Sequence, residues 1–262
     1  MWPNTAMFKA VRITVLLLVL FFVVVNTWLV KARSTDWNNS LWVKIYPINA
    51  DGDAATARYI EGLDVGDFAD VEAFMAREAE RYGSNSDAPV RMELGAAVTR
   101  QPPMLGRDPG VLSVMWWSLK MRWWVGSATD DQDRIEPDVS IFVRYHAGQR
   151  ETTLEDSVGI QKGMFGIVNA YSGRRYRATN NVIIAHELLH TLGATDKYAL
   201  GTGQPLAPDG IGEPDREPLY PQKVAEIMGG RIALSADDAV IPQSLRYAVI
   251  GPLTASEINL VD

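Results

Sequence analysis

The sequence predicts an α/β (α+β) fold. Its parts are a twisted, mostly parallel sheet with an antiparallel edge strand, crossover helices, one further strongly apolar helix and a small irregular C-terminal subdomain, preceded by an N-terminal transmembrane helix. Three observations predict it. Strand-like and helix-like segments alternate from residue 41 onward, an order that implies right-handed crossovers between parallel strands. Eighteen residues from Ile13 to Val30 run without a charge. Beyond Tyr198 the periodicity gives way to a stretch rich in Gly, Pro and Asp.

The apolar run comes first in the chain. As an α-helix it covers about 27 Å, close to the thickness of a hydrocarbon core. A cleavable signal peptide has a shorter apolar stretch and small residues at its cleavage site, and Asn26–Ala32 offers no such site. The segment reads as an uncleaved signal anchor, residues 13–30, with Trp28 at interfacial depth. Residues 1–12 are its cytoplasmic N-terminus and residues 31–40 a linker. Lys9 and Arg12 before the span balance Lys31 and Arg33 after it, so orientation rests on the short N-terminus and the large following domain. Those four cations, with no acid among the first 33 residues, account for +4; the overall net charge of −7 leaves −11 for residues 34–262. The expected location is a bacterial-type inner membrane, single-pass, with the acidic domain periplasmic or extracellular.

The domain spans residues 41–262. Leu41–Asn49 alternates β-formers and reads as a strand. Asp67–Tyr82 is an amphipathic helix, with Phe68, Val71, Phe74 and Met75 at helical spacing, an Asp cap and Gly83 as its stop. Pro89–Thr99 returns as a strand, and Val111–Val125 is a second helix closed by Gly126. Val139–Tyr145 and Phe165–Tyr171 are two strands in succession, which suggests an added antiparallel strand. Thr179–Leu192 is the strongly apolar helix, and residue 193 separates an N-terminal subdomain (41–193) from a C-terminal one (194–262). Short helical pieces are expected near Ala236–Asp238 and Ala255–Leu260, the latter with Thr254-Ala255-Ser256-Glu257 as a capping box.

Composition narrows the chemistry. The chain has 262 residues, 47% apolar and 22% charged, with no cysteine. That is a globular composition without a disulfide framework, a thiolate metal site or a cysteine nucleophile. Its acidity argues against nucleic acid as a partner. With only three histidines in the chain, any pairing of them carries information. Two of the three occur as His186-Glu187-Leu188-Leu189-His190 within the apolar helix. Residues four apart share a helical face, so both imidazoles can meet one ion, while Glu187, one step round, can touch a water held by it. Val182, Ala185, Leu189 and Leu192 supply the buried face of the same helix. A catalytic zinc needs a third protein ligand. Gly193 is placed to end the helix in a left-handed residue and turn the chain back, and Asp196 arrives three residues later.

The run His186-Glu187-x-x-His190-x-x-Gly193-x-x-Asp196 resembles the extended zinc motif of the metzincin clan of metallopeptidases, in the variant with Asp as third ligand, as in the snapalysin type. The clan's second signature is a methionine turn beneath the metal, and Glu226-Ile227-Met228-Gly229-Gly230 is similar to it. The strand and helix order before the motif also fits the clan's N-terminal half. The resemblance implies Zn2+ on His186, His190 and Asp196, Glu187 as general base in peptide-bond hydrolysis, and a peptide or protein substrate. Gly230 stands where many members carry a tyrosine. Tyr198 is then either a replacement that stabilises the oxyanion or a packed tyrosine, and Met228 either the turn methionine or ordinary core. Asp196 has a second reading as an acceptor behind a histidine, with Glu213, Glu217 or Glu226 as ligand in a thermolysin-like (gluzincin-like) arrangement. A non-catalytic, membrane-tethered zinc-binding protein and a metal hydrolase acting on other bonds stand as rivals.

Four features lie outside the motif. Trp116, Trp117, Trp123 and Trp124 share one helix with Lys120 and Arg122, which reads as a crossover helix buried against the sheet or as a membrane-surface contact. Ala199–Gln222, with five Pro, four Gly and four acids, is either the rim of the cleft or a surface excursion. Asn49-Ala50-Asp51-Gly52-Asp53 weakly resembles a calcium turn. His146, at the end of a strand, reads as structural.

Overall fold

The computed structural model describes residue 37, residues 39–84, 86–104, 110–129, 137–148, 158–160 and 164–261, together with residues 9, 12–18 and 21. The chain separates into two units, Met1–Asp36 and Trp37–Asp262. In the first, the described residues are helical and exposed. Among the described residues no helix is long and apolar enough to cross a membrane. Most of the expected anchor, including Trp28, lies outside the described residues.

The second unit is built on a five-stranded sheet of order β2-β1-β3-β5-β4. Its strands are β1 (Leu41–Asn49), β2 (Val90–Leu94), β3 (Val139–Ala147), β4 (Val158–Ile160) and β5 (Phe165–Ser172). β1 pairs in parallel with β2 and β3, β3 pairs in parallel with β5, and β4 runs antiparallel to β5. The expected antiparallel strand therefore exists, but it is the three-residue β4. Both strands read before the last long helix are parallel, because a crossover rather than a hairpin brings β5 beside β3.

Side-chain alternation sorts the core onto the two faces of the sheet. Leu41, Val43 and Ile45 of β1, with Val139, Ile141 and Val143 of β3, form one cluster with α2 (Ala69–Arg81) and α4 (Arg177–Leu192). Tyr46 and Ile48, with Phe142, Phe165 and Ile167, pack on the opposite face against α3 (Val111–Thr129). Covered on both faces, β1 is buried along nearly its whole length. Phe68, Val71, Phe74 and Met75 all point into the first cluster, as their spacing requires.

Several boundaries differ from the sequence reading. A 3-10 turn (Val65–Phe68) precedes α2. Its cap is Asp64, which accepts from the Gly66 amide while Asp67 accepts from the Asp64 amide, so Asp67 closes the capping box rather than serving as the cap. α3 continues through Gly126 to Thr129, since an isolated helical glycine costs only about 1 kcal/mol. A further helix, α1 (Ala54–Glu61), follows the segment with calcium-turn character. There the carboxylates serve amides instead: Asp53 caps α1 through Ala55 and Thr56, and Asp51 accepts from the amides of Asp53 and Ala147. β2 stops at Leu94, although Gly95 and Val98 still donate to carbonyls of β1.

α3 is buried against the sheet along one side. Trp124 is buried, 4.7 Å from the Phe142 ring, and Trp117 donates to the Pro103 carbonyl. Leu112, Met115, Trp116, Leu119 and Trp123 face outward.

The C-terminal part consists of two-residue ladders, β6 (Ala225–Glu226) with β9 (Ala248–Val249) and β7 (Ile232–Ala233) with β8 (Ala239–Val240), followed by α5 (Pro252–Glu257). Ala236–Asp238 is a turn organised by Ser235, not a helix. α5 begins at Pro252, with Gly251 as N-cap, and the anticipated box does not form because both of its side chains are drawn into tertiary contacts. Thr254 donates to Glu226, and Glu257 binds Lys197.

Candidate metal centre

α4 packs on β4 and β5 and carries both histidines. Each imidazole is fixed by its own backbone carbonyl: His186 Nδ1 lies 2.9 Å from the Ile227 oxygen and His190 Nδ1 2.9 Å from the Ala194 oxygen. A carbonyl only accepts, so both Nδ1 atoms carry protons and both Nε2 atoms are left as lone-pair donors. Those two atoms lie 3.1 Å apart. Gly193 ends α4 at φ 113°, a left-handed conformation that favours glycine, and its amide returns to the His190 carbonyl. The chain then doubles back and sets Asp196 Oδ1 3.2 Å from His186 Nε2 and 3.0 Å from His190 Nε2.

Two imidazole lone pairs and a carboxylate oxygen in mutual contact repel one another unless a cation sits among them. A tetrahedral zinc with bonds of about 2.0–2.1 Å holds its ligand atoms about 3.3–3.4 Å apart. The observed triangle is within a few tenths of an ångström of that, so the donor set fits zinc in number, type and spacing. His186, His190 and Asp196 are the one such grouping among the described residues. Where a proton rather than a cation lies between Nε2 and Oδ1, the imidazoles outweigh the upward push of burial and hold the Asp196 carboxyl well below the usual carboxylate range. Burial pushes His190 down, and Asp196, Glu187 and the Ala194 carbonyl more than offset it.

Glu187 is buried, one position round the helix from His186. Met228 is fully buried in the larger core cluster. The residue before it holds His186 through its carbonyl, and the Met228 carbonyl accepts from the Lys197 amide, so this turn contacts both arms of the motif. Glu226 shapes the turn, accepting from the Gly229 and Gly251 amides and the Thr254 hydroxyl. Burial raises its carboxyl, and those three donors moderate the rise. With its oxygens committed there, Glu226 is not placed as a ligand. Glu213 is spent on the Lys223 amide and Arg216, and Glu217 does not join the grouping. Tyr198 lines a cavity with His186, ring centroids 6.4 Å apart, and a Cβ on Gly230 would come within 4.0 Å of its ring. The tyrosine therefore lies over the position that Gly230 leaves without a side chain. His146 bonds Asn169 and is outside the grouping. Part of the Ala199–Gln222 segment, Leu200–Gly203, forms a wall of that cavity.

One residue of the site had no sequence signal. Glu257 of α5 accepts from the Thr195 amide (3.0 Å) and hydroxyl (2.6 Å) and pairs with Lys197 (2.7 Å), gripping the residues on both sides of Asp196. Burial pushes the Glu257 carboxyl up, but Lys197 and Thr195 hold it below the ordinary 4.5. Its contribution is therefore complete above that value and disappears as pH falls through the lower folded one. Replacing Glu257 with Gln is expected to weaken zinc binding at neutral pH by roughly 10–100-fold, the range for groups that orient a ligand. Competition against a chromogenic chelator measures it, and unchanged affinity would remove Glu257 from the site.

No protein-family model matches the chain. A search of curated proteins gives no match either. Among solved structures, a chain described as "Structure of a chaperone-substrate complex" is similar over 84% of this chain and 34% of its own length, at 16% identity and TM-score 0.42. Catalytically inactive OgpA from Akkermansia muciniphila, in complex with an O-glycopeptide, is similar over 84% of this chain and 59% of its own, at 11% identity and TM-score 0.36. The chain thus spans less than two thirds of either.

Proposed function

We propose that this chain is a zinc-dependent endopeptidase of metzincin type, tethered to a bacterial-type inner membrane by its apolar N-terminal segment, with its catalytic domain on the outer face. One observation carries the reading: His186 Nε2, His190 Nε2 and Asp196 Oδ1 converge within 3.2 Å of one another, with both imidazoles oriented by backbone carbonyls.

His186, His190 and Asp196 would hold the zinc, which would supply Lewis acidity toward a water and a substrate carbonyl. Glu187 takes the proton of the attacking water and passes it to the leaving amine, the two halves of general base and general acid work. Tyr198 is the hydroxyl on hand to donate to the carbonyl oxygen as negative charge grows there. Asp196 would make the ligand set anionic, so a zinc held here would acidify a bound water less than one held by three neutral histidines. The burial of Glu187 limits competing water around the transferred proton.

The full-length chain, purified in mild detergent, is expected to hold about one zinc per molecule. It should cleave members of a peptide library, lose that cleavage to a chelator, and regain it on adding zinc. Stoichiometric zinc without any cleavage would favour a structural metal, and cleavage indifferent to chelation would end the metallopeptidase reading.

A further inference from the structure

We propose that the cavity beside His186 is an acidic-residue subsite, in which Arg231 recognises a glutamate or aspartate side chain of the substrate next to the bond to be cut. The proposal rests on the peptidase reading for its placement, though its ligand chemistry stands on the cavity alone.

The cavity measures about 630 Å³ and is lined by the outer face of α4, the Tyr198–Gly203 segment and the chain from Ile227 to Arg231. His186 is part of its wall, so an occupant reaches the centre. No lining residue is acidic, and Arg231 is the one permanently charged side chain among them. In a domain this acidic, that exclusion of carboxylates is informative. Other arginines of the domain are spent on acids: exposed Arg81 on Glu78 and Arg177 on Asp67, and half-buried Arg216 on Glu213. Among the described residues no hydrogen bond or ion pair is found for Arg231, which is half-buried at the cavity wall. Its guanidinium lies against Gly203, where an added Cβ would come within 3.1 Å of Nε. A planar five-donor group held in place and unpaired is suited to bind a carboxylate through two parallel hydrogen bonds.

The rest of the wall fits the stem of such a side chain. Tyr171 and Tyr176, ring centroids 5.1 Å apart, and Ile183 offer apolar surface to its methylenes. Arg175 lies 4.6 Å from the Tyr176 ring and donates to its hydroxyl, adding positive potential behind that wall. An uncharged or basic occupant would leave the Arg231 guanidinium desolvated and unpaired.

The test has two readouts. In the first, the zinc-loaded full-length chain digests a randomised peptide library. A residue flanking the cleaved bond should be Glu or Asp over Gln or Asn by roughly tenfold, the worth of a charge-assisted hydrogen bond. Arg231→Gln should flatten that preference, Arg231→Lys should keep part of it, and Arg231→Glu should turn it toward Lys and Arg. In the second, chain carrying Glu187→Gln binds two fluorescent peptide pools that differ only in Glu/Asp against Gln/Asn at one central position, with and without chelator. The acidic pool should bind roughly tenfold tighter through Arg231, with or without zinc. Cleavage without acid preference, or a preference that survives Arg231→Gln in a variant of unchanged melting temperature, overturns the subsite. Acid-selective binding that depends on Arg231 but without cleavage by the zinc-loaded chain supports the subsite and defeats the peptidase reading. Loss of both readouts overturns both.

Discussion

Glu187→Gln is expected to leave zinc bound and the fold intact while lowering peptide turnover by roughly 10²–10⁴-fold, the contribution of a positioned general base. The substitution keeps the shape of the side chain and removes only its ability to accept a proton. Glu187 is not one of the three converging ligands, so metal content measured by mass spectrometry should stay at the wild-type level. Its surroundings predict little rearrangement: the side chain is buried, its Cβ facing Gly166 of β5. KM should change less than kcat, because the proton moves only as the bond is made and broken. Turnover within a few-fold of wild type would show that another group is the base.

Asp196→Ala should cost zinc affinity by roughly 100-fold or more. Structural zinc sites are worth about 10–16 kcal/mol shared among four ligands, so one ligand accounts for a few kcal/mol. The loss should exceed that from Glu257→Gln, since Asp196 touches the ion's position and Glu257 only braces the chain around it. Asp196→Asn separates two contributions, keeping an oxygen in place while removing the charge. Chelator competition on the three proteins gives the ranking, and a wild-type affinity for Asp196→Ala would move the third ligand elsewhere. Melting temperature should respond weakly to Asp196→Ala without metal, because the neighbouring residues remain tied to Glu257.

Much of the N-terminal half was legible because its signals are local. β1 occupies the residues its alternation marks, and Phe68 of the 3-10 turn turns inward with Val71, Phe74 and Met75 of α2 as a helical period demands. The pair His186 and His190 was legible for the same reason, since one helical turn fixes their separation whatever surrounds them. Asp196 was legible through Gly193, whose left-handed bend is a backbone property that the sequence displays. What escaped is what depends on distant partners. β4 is three residues long, too short for a period to register, and exists by pairing with β5. The ladders after residue 224 are two residues each and have no propensity of their own. The box at Thr254 and Glu257 was a sound local pattern overridden by bonds to Glu226 and Lys197. Arg231 has no motif at all; the role proposed for it comes from a cavity assembled from segments far apart in sequence.

The brace between Thr195 and Glu257 spans 62 positions of sequence. Translation delivers both imidazoles and the aspartate well before the carboxylate that steadies them. A nascent chain stalled anywhere in between would carry a loosely tethered aspartate and hold its ion weakly. If the site binds zinc as proposed, firm retention is expected to require synthesis through residue 257, and a truncated product lacking α5 to load metal weakly.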